Sequence, residues 1–411
     1  MIREIKISGF KSFESVDLTL GTLNIFIGTN ASGKTNFFDA LRVLQGIGYG
    51  FTVDEIFNGK PRSANSEVWE PIRGGSSNLA YIKWDPEQGK VSRKLIHIEV
   101  QLRSPLLNGR NLRYSITLSA RRGSVRQESL FVGSTPIFDS SPIDNSLDWP
   151  SFTVRYYAGQ KGRQPHESFE KSRPVLTQML KHRGCSERHI TLIEHCTELL
   201  SNIQKLDPSP AVLREYAKAP FVKRMGERGE NFAALVNAIL SNEKTAAAYT
   251  SWLKQLTPTE MDEISILTGA LQEPLFALKN RGEIFPAPVL SDGTLRFAAI
   301  AAAFFQPDVP EGLMIEEIEN GIHPTRLRLL VELLKSQSGQ SVPQAMVTTH
   351  SPIVLAWLNE RDYWRTFFCR KNEETGATTI HPLTEVPHFL ELVEKQPISE
   401  LFAEGWLEGA L

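Results

Sequence analysis

The 411-residue sequence is poor in cysteine and has no long apolar run. Three cysteines, at positions 185, 196 and 369, are too few for a disulfide framework, which suits the reducing cytosol. The longest apolar candidate, 297–305, is shorter than a membrane span. The opening segment Met1–Ile7 alternates polar and apolar residues, unlike the apolar core of a secretory signal. We therefore expect a cytoplasmic protein that makes no contact with a membrane.

Cysteine and histidine side chains do come together in one short stretch. Cys185, His189, His195 and Cys196 are close in sequence and carry zinc-ligating atoms. Their spacing matches no familiar zinc finger, and apolar residues between them recur at helical spacing. A structural helix is therefore the favoured interpretation, and a metal site is the minor one.

An excess of charge of one sign is also missing. The formal net charge of -2 excludes a polycation that would coat DNA. Charge is uneven locally, because residues 103–127 hold six arginines and no acidic residue. A second basic stretch lies between Arg155 and Arg188. Solvated surface strands and helices are one interpretation, and a track for a phosphate backbone is the other.

The hydrophobic pattern predicts an α/β fold. Strands are expected over 2–8 and 15–27, and further strands of an antiparallel lobe over 95–102, 112–120 and 152–157. The segment 134–150 is rich in Ser, Pro and Asp, which is typical of an exposed loop. Strand-like segments at 314–315 and 345–349 each follow a helical pattern, and this alternation indicates a parallel sheet with crossover helices.

Helical periodicity dominates the middle of the chain, for example at Phe232, Leu235, Val236 and Ile239. No heptad pattern is sustained, so a long coiled-coil arm is not expected. The predicted domains are an N-terminal lobe over 1–165, a helical insertion over 166–285 and a C-terminal lobe over 286–411.

The clearest motif is the loop from Gly28 to Thr35, GTNASGKT, which fits the pattern GxxxxGK[ST]. An apolar strand precedes it and a helix follows. Its glycines allow backbone N–H groups to surround phosphate oxygens, an arrangement that the helix N-terminus favours as well. We expect Lys34, in an exposed loop, to reach the β- and γ-phosphates of ATP. The Thr35 hydroxyl is expected to bind Mg²⁺.

Two adjacent carboxylates follow the apolar strand 312–315. Acidic side chains at a partly buried strand end are costly unless they have a function. We expect Glu316 to hold Mg²⁺ and Glu317 to orient or deprotonate the attacking water. A solvated loop start is the alternative.

Two further elements complete the pattern. His350 follows another apolar strand, where its side chain can bind the γ-phosphate. Ser291 to Gly293 precede a helix and offer a second anion site. Because one nucleotide needs one phosphate cradle, the second site makes sense for a nucleotide held by another subunit.

These four elements, in this order, resemble the ABC-type ATPase heads of SMC, RecF and OLD-like proteins. The resemblance is strong over 1–60 and 285–360. It identifies Walker A, the signature motif at Ser291 and Gly293, the Walker B pair and the switch histidine, with Glu317 and His350 catalytic. Glu319 to His323 resemble the segment that leads into the D-loop. The nucleotide-binding set that the resemblance implies is Lys11, Gly28, Asn30, Ala31, Ser32, Gly33, Lys34, Thr35 and Asn36.

The sequence departs from the family pattern in three places. Ile318 replaces the usual proline after the carboxylates, and Gln160 is only a weak candidate for the Q-loop. About fifty residues follow the switch region, too few for the TOPRIM nuclease domain of OLD proteins. The tail from Pro397 is expected to form a short amphipathic helix instead.

The resemblance implies an ATP-dependent homodimer, with room for higher oligomers, that acts as a conformational switch. Heads of this type occur beside a separate effector, a nuclease or toxin, in bacterial anti-phage systems, and the motion of the heads is expected to act on DNA or on a partner protein. The alternatives are a RecF-like DNA repair ATPase and a scaffold that binds ATP without hydrolysing it.

Overall fold

The computed structural model describes residues 1–61, 69–85, 90–104, 107, 109–140, 143, 150–157, 165–182, 184–256, 261–336 and 342–410. Its strands, in chain order, are β1 (Ile2–Phe10), β2 (Phe13–Thr19), β3 (Leu23–Ile27), β4 (Ile82–Asp85), β5 (Lys90–Arg93), β6 (Ile96–Arg103), β7 (Asn111–Ser119), β8 (Ser124–Val132), β9 (Thr135–Asp139), β10 (Ser151–Tyr156), β11 (His166–Glu170), β12 (Ile203–Leu206), β13 (Glu263–Thr268), β14 (Pro274–Asn280), β15 (Glu283–Pro286), β16 (Gly312–Ile315), β17 (Gln344–Thr349), β18 (Thr366–Lys371) and β19 (Thr378–Pro382).

The helices, in chain order, are α1 (Lys34–Gly48), α2 (Val53–Asn58), α3 (Val175–Gln178), α4 (Glu187–Ser201), α5 (Pro210–Leu213), α6 (Phe232–Leu240), α7 (Glu243–Leu256), α8 (Asp292–Phe305), α9 (Pro324–Ser336), α10 (Pro352–Leu355), α11 (Glu360–Tyr363), α12 (Phe389–Val393), α13 (Ile398–Ala403) and α14 (Trp406–Gly409). None of these described helices is both long and apolar enough to cross a bilayer.

The chain forms two compact units, each discontinuous in sequence. The first unit comprises Met1–Gly21, Gly28–Ile203 and Phe368–His381. The second unit comprises Thr22–Ile27, Gln204–Phe367 and Pro382–Leu411. The three contiguous ranges expected from the sequence, 1–165, 166–285 and 286–411, remain a prediction about domains and do not describe these units.

An eight-stranded sheet dominates the first unit, in the order β11-β10-β9-β8-β7-β6-β1-β2. Buried and less buried residues alternate along β6, as expected for a strand with one face in the core. β9 lies inside the segment 134–150, where we expected a loop, so that prediction is wrong at its N-terminal end. Its Ile137 and Phe138 are buried. The sequence prediction missed this strand because turn-forming residues flank its short apolar pair on both sides.

A six-stranded sheet has the order β12-β16-β17-β3-β18-β19. Its strands β16, β17 and β3 belong to the second unit and run parallel, and all their residues except Leu23 are buried, as is usual when both faces of a parallel sheet are covered. The register pairs Ile315 with Val347 and Thr349 with Ile27. All three strands therefore end at the same edge of the sheet.

The helical character predicted for 166–285 is incomplete. This segment contains helices α3 to α7, and also β11, β12 and a three-stranded sheet of β13, β14 and β15. The run Leu275–Leu278 is continuously buried, and Phe276 packs on Phe232 of α6 with ring centroids 4.8 Å apart. Short apolar runs do not distinguish a strand from a buried helix by their period. The tail from Pro397 forms two short helices, α13 and α14, rather than one.

Glu128 of β8 is a fully buried carboxylate in the first unit. It accepts hydrogen bonds from the backbone N–H groups of Val175 (2.6 Å) and Leu176 (2.8 Å), and from the Tyr114 hydroxyl (2.9 Å). Burial raises the pKa of Glu128 from 4.5 to about 7, although the three hydrogen bonds oppose the shift. The side chain thus joins the first turn of α3 to the antiparallel sheet.

We predict that stability falls with rising pH because of Glu128. A folded-state pKa that is raised gives stability that is complete below the unfolded value and is lost as the pH passes through about 7. The shift corresponds to at most about 3 kcal/mol. Glu128→Gln should flatten the dependence of the unfolding free energy on pH between 5 and 8.5, measured by urea denaturation. Glu187→Gln, on the exposed surface of α4, is the control, and an unchanged slope in Glu128→Gln would contradict the assignment.

Candidate functional site

The loop after β3 is shaped by two glycines of the first unit. Gly28 and Gly33 have φ values of +150° and +100°. A Cβ atom on Gly33 would lie 2.6 Å from Oγ1 of Thr378, and one on Gly28 would lie 2.4 Å from the carbonyl oxygen of Cys369. Both positions therefore require glycine, because the positive φ disfavours other residues and because a Cβ atom would collide with a neighbouring atom. The sequence explained the glycines by their contact with phosphate and missed these protein neighbours.

Lys34, the first residue of α1, is buried rather than exposed, which corrects the expectation of an exposed side chain. It is 7% exposed, and its Nζ donates hydrogen bonds to the carbonyl oxygens of Gly28 (2.7 Å) and Thr29 (2.8 Å). The ammonium group is thus held inside the curve of its own loop. Of the other predicted members of this loop, Asn30 and Ala31 are exposed, Ser32 is buried, and Thr35 and Asn36 are half-buried.

The turn between β1 and β2 is tied to the start of α1. Lys11 has a φ of +49°, and its Nζ lies 2.5 Å from Oδ2 of the buried Asp39. Burial lowers the pKa of Lys11, and the Asp39 carboxylate opposes that shift. Next to it, Ser12 accepts hydrogen bonds from Asn36 Nδ2 (2.7 Å) and from the Thr378 hydroxyl (2.8 Å). The structure therefore brings Lys11 to the first turns of the helix that follows the phosphate loop.

In the second unit, Glu316 and Glu317 follow β16 directly. Glu317 has a φ of +45°, a conformation that is unusual for a residue other than glycine. Its N–H donates to Oγ1 of Thr348 (3.0 Å), and the N–H of Ile318 donates to the Thr348 carbonyl (3.2 Å). The amide of Asn320 donates to Glu317 Oε2 (2.6 Å). Thr348 and Asn320 together fix the backbone and the carboxylate of Glu317.

Ile318 shows why proline is absent from this position. Its side chain is fully buried and its N–H is used in the bond to Thr348. A proline has no N–H to donate. The hydrogen bond from position 318 to the Thr348 carbonyl therefore requires a residue other than proline.

His350 follows β17 and faces two carboxylates. Its backbone N–H donates to Oε1 of Glu319 (2.8 Å), and its Nδ1 lies 3.0 Å from the same oxygen. Nδ1 is 3.9 Å from Oε1 of Glu317. The second unit thus brings together the predicted residues Glu317 and His350. It adds Glu319, whose role the sequence did not reveal.

Ser291 and Gly293 lie at the N-terminus of α8. The Ser291 hydroxyl caps the helix by accepting the N–H of Thr294 (3.2 Å). Arg326 of α9 donates to the Thr294 hydroxyl (2.9 Å) and approaches Ser291 Oγ (3.5 Å). A Cβ atom on Gly293 would lie 2.7 Å from the Gly321 carbonyl oxygen. The capped N-terminus of α8 and the Arg326 guanidinium therefore both lie at Ser291.

Arg296, one turn into α8, connects this helix to the acidic pair. Its guanidinium donates to Asp207 Oδ1 (3.1 Å) and the Pro208 carbonyl (2.9 Å), and its Nη2 donates to the Glu316 carbonyl (3.3 Å). Only 6% of Arg296 is exposed. No local pattern in the sequence predicts this role, because the arginine lies twenty positions before its backbone acceptor.

The predicted site residues therefore form two groups, one in each unit. Those of the first unit are Lys11, Gly28, Asn30, Ala31, Ser32, Gly33, Lys34, Thr35 and Asn36, and those of the second are Ser291, Gly293, Glu316, Glu317 and His350. Gln160 lies outside the described residues, and so does Lys161, which belongs to the basic stretch between Arg155 and Arg188. Of the six arginines between 103 and 127, Arg126 is buried and the others are exposed.

Magnesium would find hydroxyl and carboxylate oxygens in this set, the hard donors that it prefers. Among the described residues, no group of three or more His, Cys, Asp or Glu side chains is placed to hold a metal ion. A magnesium ion that accompanies a nucleotide takes one or two protein ligands and fills its other positions with phosphate oxygens and water. Thr35, with a hydroxyl oxygen in the first unit, and Glu316, with carboxylate oxygens in the second, remain the predicted protein ligands.

The chain matches a protein-family model and is similar to a known bacterial protein. The family model described as "AAA domain, putative AbiEii toxin, Type IV TA system" matches residues 23–356. A Helicobacter pylori protein named "ATP/GTP phosphatase" is 23% identical over 389 residues, which are 91% of this chain and 93% of that protein.

Solved structures give a third comparison. An SMC head bound to the C-winged helix domain of ScpA is 12% identical, with 92% of this chain and 96% of that chain covered and a TM-score of 0.51. The SMC head domain from Thermotoga maritima is 13% identical over 93% and 98% of the two chains, with a TM-score of 0.44. The first of these shows the fold, so the predicted α/β head with a P-loop and an antiparallel lobe is confirmed.

We predict that Gly293→Ala destabilises the protein. Alanine normally stabilises a helix by up to about 1 kcal/mol relative to glycine. Here the new methyl group would contact the Gly321 carbonyl at 2.7 Å, so we expect a loss of about 1–3 kcal/mol in unfolding free energy. Gly409→Ala is the control, because a methyl group on Gly409 of α14 would point into open space, with no neighbouring atom within 4 Å. Greater stability of Gly293→Ala in urea denaturation would show that the close approach is absent.

Proposed function

The chain belongs to this AAA-domain family of AbiEii type and is an ATPase, and we propose that it works as a nucleotide-dependent dimeric switch that controls a separate effector. One observation carries the proposal. The chain has a phosphate loop around Lys34 in its first unit and a capped helix N-terminus at Ser291 in its second unit. One bound nucleotide needs a single cradle for its phosphates.

Nucleotide binding is assigned to the loop from Gly28 to Thr35. Its glycines leave room for backbone N–H groups to approach phosphate oxygens, and α1 begins directly after it. Lys34 already lies inside the loop and would exchange carbonyl partners for phosphate oxygens. Lys11 and Asn36 flank the same helix start. The name of the Helicobacter pylori relative supports ATP, with GTP as a second nucleotide to test.

Hydrolysis is assigned to Glu317, with His350 contacting the γ-phosphate. Phosphoryl transfer needs a group that orients water and positive charge that stabilises the transferred phosphoryl group. Asn320 and Thr348 hold Glu317 in one conformation, as expected for a residue that must orient a water molecule. When bound, Mg²⁺ would neutralise charge on the β- and γ-phosphates, with Thr35 and Glu316 as its protein ligands. This arrangement favours hydrolysis over a purely structural use of ATP.

Dimer formation would use the second anion site. Ser291 and the amides at the start of α8 would bind the γ-phosphate of the partner's ATP, and Arg326 adds positive charge beside Ser291. Two such contacts would close two heads around two nucleotides. Hydrolysis would then remove the γ-phosphate that joins them, so the heads reopen.

A separate effector, a nuclease or a toxin, is supported by the family description, which names a toxin and a type IV toxin–antitoxin system. The solved SMC head with a winged helix domain of ScpA shows that a head of this fold binds a partner protein in that case. We infer an antiviral role of this kind, in which nucleotide state controls the effector. DNA is a second candidate for the partner that the nucleotide-dependent motion acts on, as in a RecF-like ATPase. The exposed arginines Arg113, Arg121 and Arg122 favour it, because they can contact a phosphate backbone.

We expect Glu317→Gln to bind ATP but to lower kcat at least about 100-fold, because the amide keeps the shape of the side chain and loses the base. ATP should then shift this variant toward the dimer in light scattering. Glu332→Gln, on the exposed face of α9, is the matched control and should behave as wild type. Wild-type turnover by Glu317→Gln would remove Glu317 from the mechanism.

Mixing two inactive variants tests the shared site. Lys34→Ala removes the phosphate contact of one chain, and Ser291→Arg blocks the contact to its partner's nucleotide. Each variant alone should lack ATPase activity. Mixed dimers should regain one working site of the two, because one site then combines Lys34 of one chain with Ser291 of the other. Absence of recovery, in a sample whose mixed dimers are shown by tagged purification, would mean that each chain completes its own site.

A further inference from the structure

The imidazole of His350 lies nearer to the carboxylate of Glu319 than to that of Glu317. Nδ1 lies 3.0 Å from Oε1 of Glu319 and 3.9 Å from Oε1 of Glu317. The Glu319 side chain is 11% exposed and that of Glu317 is 42% exposed. The closer contact is therefore also the one more shielded from water, where a hydrogen bond is stronger.

Glu319 holds the main chain of His350 as well as its ring. The same oxygen, Oε1, accepts the backbone N–H of His350 at 2.8 Å. The other oxygen, Oε2, is buried and has no hydrogen-bond partner among the residues that the structure describes. A buried carboxylate oxygen without a donor is destabilising. Such an arrangement is expected where the group serves function rather than stability.

The carboxylates of Glu317 and Glu319 have different surroundings, although only Ile318 separates them in sequence. Ile318 is fully buried and anchors the middle of the segment. Glu317 has its Oε2 bound by Asn320, whereas Glu319 faces His350. One carboxylate is thus available to a water molecule, and the other is occupied by the histidine.

We propose that Glu319 is a positioning residue that holds His350 as its Nδ1–H tautomer in the nucleotide-free protein, which leaves Nε2 as the ring nitrogen that can take up a proton and donate it in a hydrogen bond to the γ-phosphate. This inference rests on the proposed function for its use in hydrolysis, but the tautomer itself does not. The hydrogen bond that one ring nitrogen makes determines which nitrogen carries the proton. In metal sites, partners of this kind fix the orientation of the ligating histidines, and their loss typically lowers metal affinity or activity about 10–100-fold. We expect an effect of similar size for His350.

The tautomer is measured directly by ¹⁵N NMR of the full chain labelled in its nine histidines, without nucleotide, at pH 8. An alkaline pH is chosen so that the neutral forms of the ring are compared. His350→Gln assigns the resonances. We expect protonated Nδ1 in wild type and a shift toward protonated Nε2 in Glu319→Ala. Protonated Nε2 in wild type, or no change in Glu319→Ala, overturns the proposal.

Glu319→Gln separates hydrogen bonding from charge. The amide oxygen of glutamine can accept both His350 donors, so this variant should keep the Nδ1–H tautomer and most of the kcat. Glu319→Ala should lower kcat about 10-fold or more with little change in KM. Glu332→Gln is the control for a charge change on the same unit, and thermal unfolding checks that every variant is folded. A Glu319→Gln variant with the tautomer of Glu319→Ala would also contradict the proposal.

Failure of the positioning role and failure of the proposed function give different results. If wild type has the expected tautomer and no ATPase activity, the proposed function is wrong and the positioning contact stands. If wild type hydrolyses ATP and Glu319→Ala has the same tautomer and kcat as wild type, the positioning role is wrong and the proposed function stands.

Discussion

Parallel pairing of the buried strands β16, β17 and β3 is the constraint on which the functional residues depend. Because the three strands run in one direction, their carboxyl ends share one edge of the sheet. In the second unit, Glu316 directly follows β16 and His350 directly follows β17. Continuous burial of these strands gives the edge a rigid base. Polar groups at that edge can then be held in geometries that a flexible loop would not keep.

Several of these geometries are unfavourable by themselves. Glu317 has a left-handed backbone, and Glu319 has a buried oxygen without a donor among the described residues. Each costs on the order of 1–3 kcal/mol. The buried Ile318 side chain and the two hydrogen bonds to Thr348 offset part of this cost. The acidic segment is therefore specified by contacts from the neighbouring strand as well as by its own sequence.

The sequence predicted those parts of the site that are local in the chain. The phosphate loop, the acidic pair and His350 each follow an apolar strand, and that pattern is visible within about ten residues. The sequence could not predict which distant residues hold these elements in place. Examples are the contacts of Gly33 with Thr378, of Glu317 with Thr348 and of His350 with Glu319. These contacts join residues that are far apart in sequence and depend on strand order. The strands β13 to β15 were missed for another reason, because short buried runs are alike in strands and helices.

The central claim is that this fold binds ATP at the loop from Gly28 to Thr35. A crystal structure of the full chain with a non-hydrolysable ATP analogue and Mg²⁺ tests it most directly. We expect triphosphate oxygens against the backbone N–H groups of this loop, Lys34 Nζ moved from the Gly28 carbonyl onto phosphate, and the metal ion on the Thr35 hydroxyl. A nucleotide bound elsewhere, or a loop still closed on Lys34 at saturating analogue, would contradict it.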